Sequence, residues 1–388
     1  MTRVSGFTLV EFIVATLIVL VGTALAVSLV MPASAAFQAL PESTDLVQRL
    51  RAAVDALRSD LANAGGGPSL GWGSGAPLAW PAVLPCRWTG SALSGTAGGC
   101  ARGDSITILS MAGSAPQALV APAIQDQTAP LALSAASACA LDRSACKLHA
   151  GALLLLVDGT SSWDLVTASA VSTDGRTLTT SRRSSTAYAP GALVGEATAR
   201  AYFGAVEAGT GTPQLRRADD GGNSYALIDH AVALSFEYFG AAAPPAIVDG
   251  PAPASRAATY GPLPPPAGVD NPLDLWPAGE NCTFMLQDES HVSRLASLAP
   301  EVSGLARLPS ALLADGPWCP DAASANRFDA DLLRIRLVRV TVRLQAQSPG
   351  VRGIAAGWFA HPGLTRDATR LVPDMTVLFD VALRGAGR

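Results

Sequence analysis

Residues 7–31 read FTLVEFIVATLIVLVGTALAVSLVM, an apolar run whose one ionisable side chain is Glu11. As a helix this stretch is about 37 Å long, more than the roughly 30 Å of a bilayer's hydrocarbon core. Arg3 precedes it, which holds the N-terminus in the cytoplasm and sends the rest of the chain outward. A carboxylate inside such a run is costly, about 2.5–3.5 kcal/mol for Asp at mid-membrane, so an intramembrane Glu11 reads as functional by default. An ordinary secretory signal competes, because Ala33-Ser34-Ala35 forms an A-x-A-like cleavage site just beyond the run. The run is, however, much longer than a usual signal core of about 7–15 residues.

Outward from this segment, Pro41–Ser43 interrupts the apolar stretch. Leu46, Leu50, Val54, Leu57 and Leu61 then recur at helical spacing, with Asp45, Arg49, Asp55, Arg58 and Asp60 expected on the polar side. Gly65-Gly66-Gly67-Pro68 stops the helix. Beyond it the pattern changes to short strands and loops. Ser105–Ser110, Ala152–Val157, Trp163–Val166, Val194–Phe203 and Leu227–Phe239 read as strands, and Val377–Leu383 as a terminal one. Asp331–Gln345 is the strongest strand signal, with its apolar phase switching after Val338 to Val340, Val342 and Leu344, as at a bulge. Residues 241–269, rich in Ala and Pro, read as a long surface loop. The fold class expected is α+β: a long N-terminal transmembrane helix packed on a β-rich head with long loops.

The chain of 388 residues has a net charge of -4, too small to point to nucleic acid as a partner. Its cysteines are Cys86, Cys100, Cys139, Cys146, Cys282 and Cys319, with no C-x-x-C pair. Scattered cysteines in even number fit an oxidising compartment, where disulfides persist. The short separations suggest the pairs Cys86–Cys100 and Cys139–Cys146, leaving Cys282 with Cys319.

The hexapeptide Gly6-Phe7-Thr8-Leu9-Val10-Glu11 resembles the processing site of type IV prepilins and type II secretion pseudopilins. The resemblance implies a leader over residues 1–6, a transmembrane and assembly helix over 7–31, its amphipathic continuation over 32–67 and an exported head over 68–388. It further implies cleavage after Gly6 by a membrane-embedded prepilin peptidase, N-methylation of Phe7 by the same enzyme, and an assembly role for Glu11. Its implied partners are that peptidase/methyltransferase, other pilin subunits and, before assembly, inner-membrane lipid. The helix proline of many major pilins has no counterpart here, since Ser28 holds its place and Pro32 follows. More diffusely, the head resembles W-type minor pilins and the J pseudopilin. Asn63-Ala64-Gly65 stands at the helix end, Ala231–Tyr238 as a pacing strand, Leu333–Val342 as an Arg/Val-rich strand, and Leu383-Arg384 after the closing strand.

Other chemistry is weakly signalled. Gly67-Pro68-Ser69-Leu70-Gly71 matches a nucleophile elbow as text, but it follows a helix where the elbow needs a strand. Asp219–Asn223 lacks the ligand spacing of a calcium loop and reads as a polar hairpin turn. His149, His230, His291 and His361 are scattered, and Arg334, Arg336, Arg339 and Arg343 read as a solvated strand face or charge-protected edge. No enzyme activity, cofactor or metal is expected. The alternatives are a secreted enzyme or binding protein released after Ala35, and an uncut membrane-anchored adhesin.

Non-reducing peptide mapping is the check on the cysteines. It is expected to return Cys86–Cys100, Cys139–Cys146 and Cys282–Cys319, each adding about 2–4 kcal/mol by constraining the unfolded chain. Free thiols throughout would remove the argument for an exported head.

Overall fold

The computed structural model describes residues 8–66, 80–90, 100–101, 104–111, 117–118, 130–134, 148–157, 163–173, 176–181, 188–241, 284–293, 300–309, 332, 334–354, 357–366 and 368–383. The fold is α+β, an N-terminal apolar helix followed by a β-rich head. Helix α1 runs unbroken over Leu9–Ala62, through Pro32 and Pro41. The strands follow in order: β1 Val83–Leu84, β2 Arg87–Trp88, β3 Cys100–Ala101, β4 Ser105–Met111, β5 Gln117–Ala118, β6 Leu131–Ala132, β7 Leu153–Val157, β8 Trp163–Val171 and β9 Thr177–Thr180. After them come β10 Leu193–Val206, β11 Pro213–Asp219, β12 Ser224–Asp229, β13 Ala231–Gly240, β14 Phe284–Gln287 and β15 Ser290–Ser293. The last are β16 Pro300–Val302, β17 Leu305–Leu308, β18 Ile335–Leu344 and β19 Met375–Ala382. Two compact units divide the chain, Met1–Ala52 with Arg343–Thr376, and Ala53–Val342 with Val377–Arg388.

In the larger unit β10 is the hub of a ten-stranded sheet ordered β1-β4-β10-β7-β8-β9-β6, with β5, β11 and β12 off that path. Its first residues pair with β7 (Leu193↔Val157), its middle with β4 (Ala199↔Leu109) and its end with β11 (Tyr202↔Arg217), all antiparallel. Strand β7 reads Leu-Leu-Leu-Leu-Val and is buried along its whole length, as a strand covered on both faces must be. Leu154, Leu156, Val166, Leu178, Tyr188 and Val194 form one core cluster around it. A second sheet is ordered β16-β17-β13-β18-β19.

The helix ends where its glycines fall. Asn63–Gly65 turn, and Gly65 takes φ +67°, the left-handed conformation that closes helices and suits glycine. The turn is stitched to β4: Gly65 N–H donates to the Leu109 carbonyl and Met111 N–H to that of Gly66, both at 2.8 Å. Of the apolar stripe, Leu46, Leu57 and Leu61 are fully buried and Leu50 and Val54 half-buried, and Ala53 is buried as well.

Four readings need correction. Leu227–Phe239 is not one strand: His230 sits at φ +60° and divides β12 from β13. In β18, Ile335 and Val338 are both buried with Leu337 half-buried, so the phase slips two residues before Val338 and not after it. The arginine row does not lie on an edge, because β18 lies between β13 and β19, and only Arg336, Arg339 and Arg343 keep a partly exposed face. Arg334 is fully buried, Arg339 grips Asp380 through two hydrogen bonds of 2.8 and 3.0 Å, and Arg343 is bonded to Asp374 at 3.0 Å. Asp60, expected on the polar side of the helix, is 7% exposed. The Ala/Pro-rich segment beyond Ala241 and the Gly67–Gly71 match lie outside the described residues.

Gly240 ends β13 where the backbone before β18 passes closest. A Cβ there would meet the Arg334 carbonyl oxygen at 2.0 Å and Leu308 Cδ1 at 2.9 Å. Gly240→Ala is therefore expected to cost about 3 kcal/mol, the upper end of ordinary overpacking. The shift in urea midpoint checks this, and an unchanged midpoint would contradict the close approach.

Candidate functional site: the helix tip and its anchor

The N-terminus of α1 is closed by its own sequence. Thr8 is the cap: its hydroxyl accepts from the Glu11 N–H at 3.3 Å. In return Glu11 Oε2 accepts from the Thr8 N–H and the Thr8 hydroxyl, each at 2.9 Å. This is a capping box, the T-x-x-E spacing that satisfies helix-end donors reciprocally. One carboxylate oxygen does all of this accepting, which leaves the geometry of Oε1 open to an incoming donor. Gly6 and Phe7, the expected processing positions, lie outside the described residues.

Leu9–Ser28 is the one described segment long and apolar enough to cross a membrane, and none of it is buried. Leu9, Phe12, Ile13, Leu17, Ile18 and Leu20 are each more than half exposed. Among the described residues nothing covers this surface.

The other end of the helix is held by charge as well as by leucine. Asp60 Oδ1 accepts from Arg200 Nη1 at 2.5 Å, and Oδ2 accepts from the Tyr202 hydroxyl at 2.6 Å. Arg217 Nη1 approaches Oδ2 at 3.6 Å and turns its other nitrogens to Asp219, at 2.7 and 3.2 Å. The platform is a product of register: Tyr202 faces Arg217 and Arg200 faces Asp219 across β10 and β11. Burial, and then the hydrogen bond to Asp60, push the Tyr202 phenol well above its usual value. Burial alone would lower Arg217, but Asp219, Tyr202 and Asp60 outweigh it and keep the guanidinium charged. Sequence reasoning missed this site, although Asp60 lies three residues after Leu57 and one before Leu61, on the buried stripe.

Cys86 is 1% exposed and disulfide-bonded. Cys100 lies in β3, its backbone paired with Trp88, two residues from Cys86. Cys139, Cys146, Cys282 and Cys319 lie outside the described residues. Among the described residues no group of His, Cys, Asp and Glu could hold a metal ion. Asp219–Asn223 is a hairpin turn between β11 and β12, with Asp220 at φ +53° and Gly221 at φ +72°. Asp220 is tied to β10 through the Ala199 N–H at 2.8 Å. Comparison with family models, with curated proteins and with solved structures finds no match to this chain.

Removing Tyr202's hydroxyl (Tyr202→Phe) is expected to cost about 1.5–3 kcal/mol, the range for a hydrogen bond to a charged group. Asp60→Ala is expected to cost about 3 kcal/mol, because it takes the carboxylate from Arg200 and from the buried Tyr202 hydroxyl, while Arg217 keeps Asp219. The raised Tyr202 phenol also has a pH signature. Its contribution is full below the unfolded tyrosine value of about 10 and is lost as pH rises above it. Urea midpoints from neutral to alkaline pH are expected to fall less steeply for Tyr202→Phe than for the parent; equal slopes would contradict the assignment.

Proposed function

We propose that this chain is a minor pilin or pseudopilin, a structural subunit of a pilus-like filament. It inserts in the inner membrane with its head periplasmic, is cut after Gly6 and methylated at Phe7, and enters the filament through α1. The observation that carries the reading is the conjunction at the helix tip. The processing hexapeptide ends in a carboxylate held in the first turn of a helix, and the apolar surface that follows has no cover among the described residues. Lipid covers that surface before assembly, and the helices of other subunits cover it afterwards. The amine created by cutting a neighbouring subunit after Gly6 is the natural donor for Glu11, since lateral packing then satisfies both charges in a dry site.

A pilin-like fold is part of this proposal. It is supported by the long helix whose end is stitched to an antiparallel strand, and by β13, β18 and β19 lying side by side. Type IV pilus assembly is preferred to type II secretion because the head is large and W-like. Release after Ala35 is disfavoured, because the apolar run is much longer than a usual signal core of about 7–15 residues.

Glu11 tests the assembly role. Glu11→Gln keeps an acceptor for the Thr8 N–H while removing the charge, and Glu11→Ala removes both. Both variants are expected to be cut after Gly6, since membrane insertion becomes easier without the carboxylate. Their incorporation into sheared filaments, at matched membrane levels, is expected to fall about tenfold or more, which corresponds to about 1.4 kcal/mol. Normal incorporation of both would leave Glu11 with no part in assembly.

A further inference from the structure

Strand β18 gives way to β19 through residues 345–374, and the turn that carries Trp358 is pinned against that junction. Asp374 N–H donates to the Trp358 carbonyl at 3.0 Å. Asp374 Oδ2 accepts from the Ala360 N–H at 2.6 Å. The same oxygen takes Arg343 of β18 through Nε and Nη2, each at 3.0 Å. Asp374 therefore holds the turn with its backbone and its side chain at once. Phe359, between the two pinned residues, is buried, and Gly357 before them takes φ +108°, a conformation that suits glycine.

Arg343, Gly357, Trp358, Pro373, Asp374 and Thr376 line one open cleft of about 360 Å³. That lies toward the small end of the range for ligand sites, about 300–1,000 Å³. Trp358 is 65% exposed although the backbone that carries it is fixed. Arg343 turns Nε and Nη2 to Asp374 and to the Gly357 carbonyl, which leaves Nη1 without a partner among the described residues. Asp374 Oδ1 is buried and takes no hydrogen bond. Both members of the pair thus keep hydrogen-bonding capacity that the chain does not use, and the exposed Thr376 adds a hydroxyl beside them.

These walls define the ligand by its chemistry. Asp374 already balances the charge of Arg343, so an ion of either sign meets little net attraction. The indole offers an apolar face, while Nη1 and the Thr376 hydroxyl offer hydrogen bonds at its side. A molecule that is uncharged, apolar on one face and edged with hydroxyls answers all of this, and a sugar ring is such a molecule. We infer that the cleft binds a neutral saccharide, its ring laid on Trp358 and its hydroxyls at Arg343 Nη1 and Thr376. Asp374 is the positioning residue, since it fixes both the guanidinium and the Trp358 backbone before the ligand arrives, which lowers the ordering cost of binding. No residue of α1 takes part, so the assignment stands apart from the filament reading.

The test uses the full chain, fluorescently labelled and extracted in a detergent without a sugar headgroup. It is applied to an array of immobilised neutral oligosaccharides of hexoses and N-acetylhexosamines, with sialylated and sulfated glycans beside them. The parent is expected to be retained by at least one neutral glycan and displaced by the same oligosaccharide in free form. Trp358→Ala, a change at an exposed side chain, is expected to weaken that binding about tenfold or more, as loss of an aromatic anchor does. Trp358→Phe is expected to stay close to the parent. Arg343→Lys keeps the charge but loses the planar fork, and is expected to weaken binding too. An unchanged urea midpoint for Trp358→Ala establishes that its fold is intact. Retention by no neutral glycan, or equal retention of the parent and Trp358→Ala, overturns the inference. Binding confined to sialylated or sulfated glycans and lost in high salt overturns it as well, and assigns the cleft to an anion.

Discussion

A helix whose first five turns bury nothing sets the terms for the rest of this protein. Between Leu9 and Ser28 its leucines, isoleucines, valines and Phe12 are each at least half exposed. Covering them is worth on the order of 10–20 kcal/mol, at about 1.5–3 kcal/mol for each side chain fully buried. That equals or exceeds the net stability of a typical domain, roughly 5–15 kcal/mol. The segment is long and apolar enough to cross a membrane. Against that gain the cost of one carboxylate, about 2.5–3.5 kcal/mol, is small enough to carry. The Thr8 capping box lowers it further by supplying two donors to Glu11 in the same turn.

On the proposed reading the helix passes from bilayer to filament, which calls for a firm hold at its other end. Ala53, Leu57 and Leu61 supply burial there, and Gly65 and Gly66 supply backbone bonds to β4. Asp60 adds direction. Two apolar surfaces can slide past one another by a residue, but a carboxylate that takes Arg200 on one oxygen and Tyr202 on the other has one register on β10. Buried ion pairs are poor sources of net stability and good sources of uniqueness. In this fold the carboxylate ties the Ala53–Ala62 end of the helix to β10 in one register.

The parts of the structure that follow from local pattern were legible in the sequence. The helical stripe, the glycine stop, the unbroken apolar run of β7 and the polar turn after β11 are each dictated by neighbours in the chain. Those that depend on what a residue meets across space were not. Asp60 was read as solvated because it is charged, although its spacing from Leu57 and Leu61 puts it on the buried stripe; only the register of β10 with β11 supplies its partners. His230 was read through as part of one strand, because nothing in its side chain announces a positive φ. Arg334 was placed on an open face, since a sequence does not say that β19 closes the far side of β18. At the helix tip the structure adds the hydrogen bonds that Glu11 makes with Thr8, while Gly6 and Phe7 lie outside the described residues.

The N-terminus of the protein extracted from membranes carries the account's central claim. Intact mass and N-terminal sequencing are predicted to give a chain that begins at Phe7, with the mass of one added methyl group on its amine. A chain that begins at Ala36 would mean that the apolar helix is a discarded signal, and one that begins at Met1 or Thr2 would mean an uncut anchor; either contradicts a processed filament subunit.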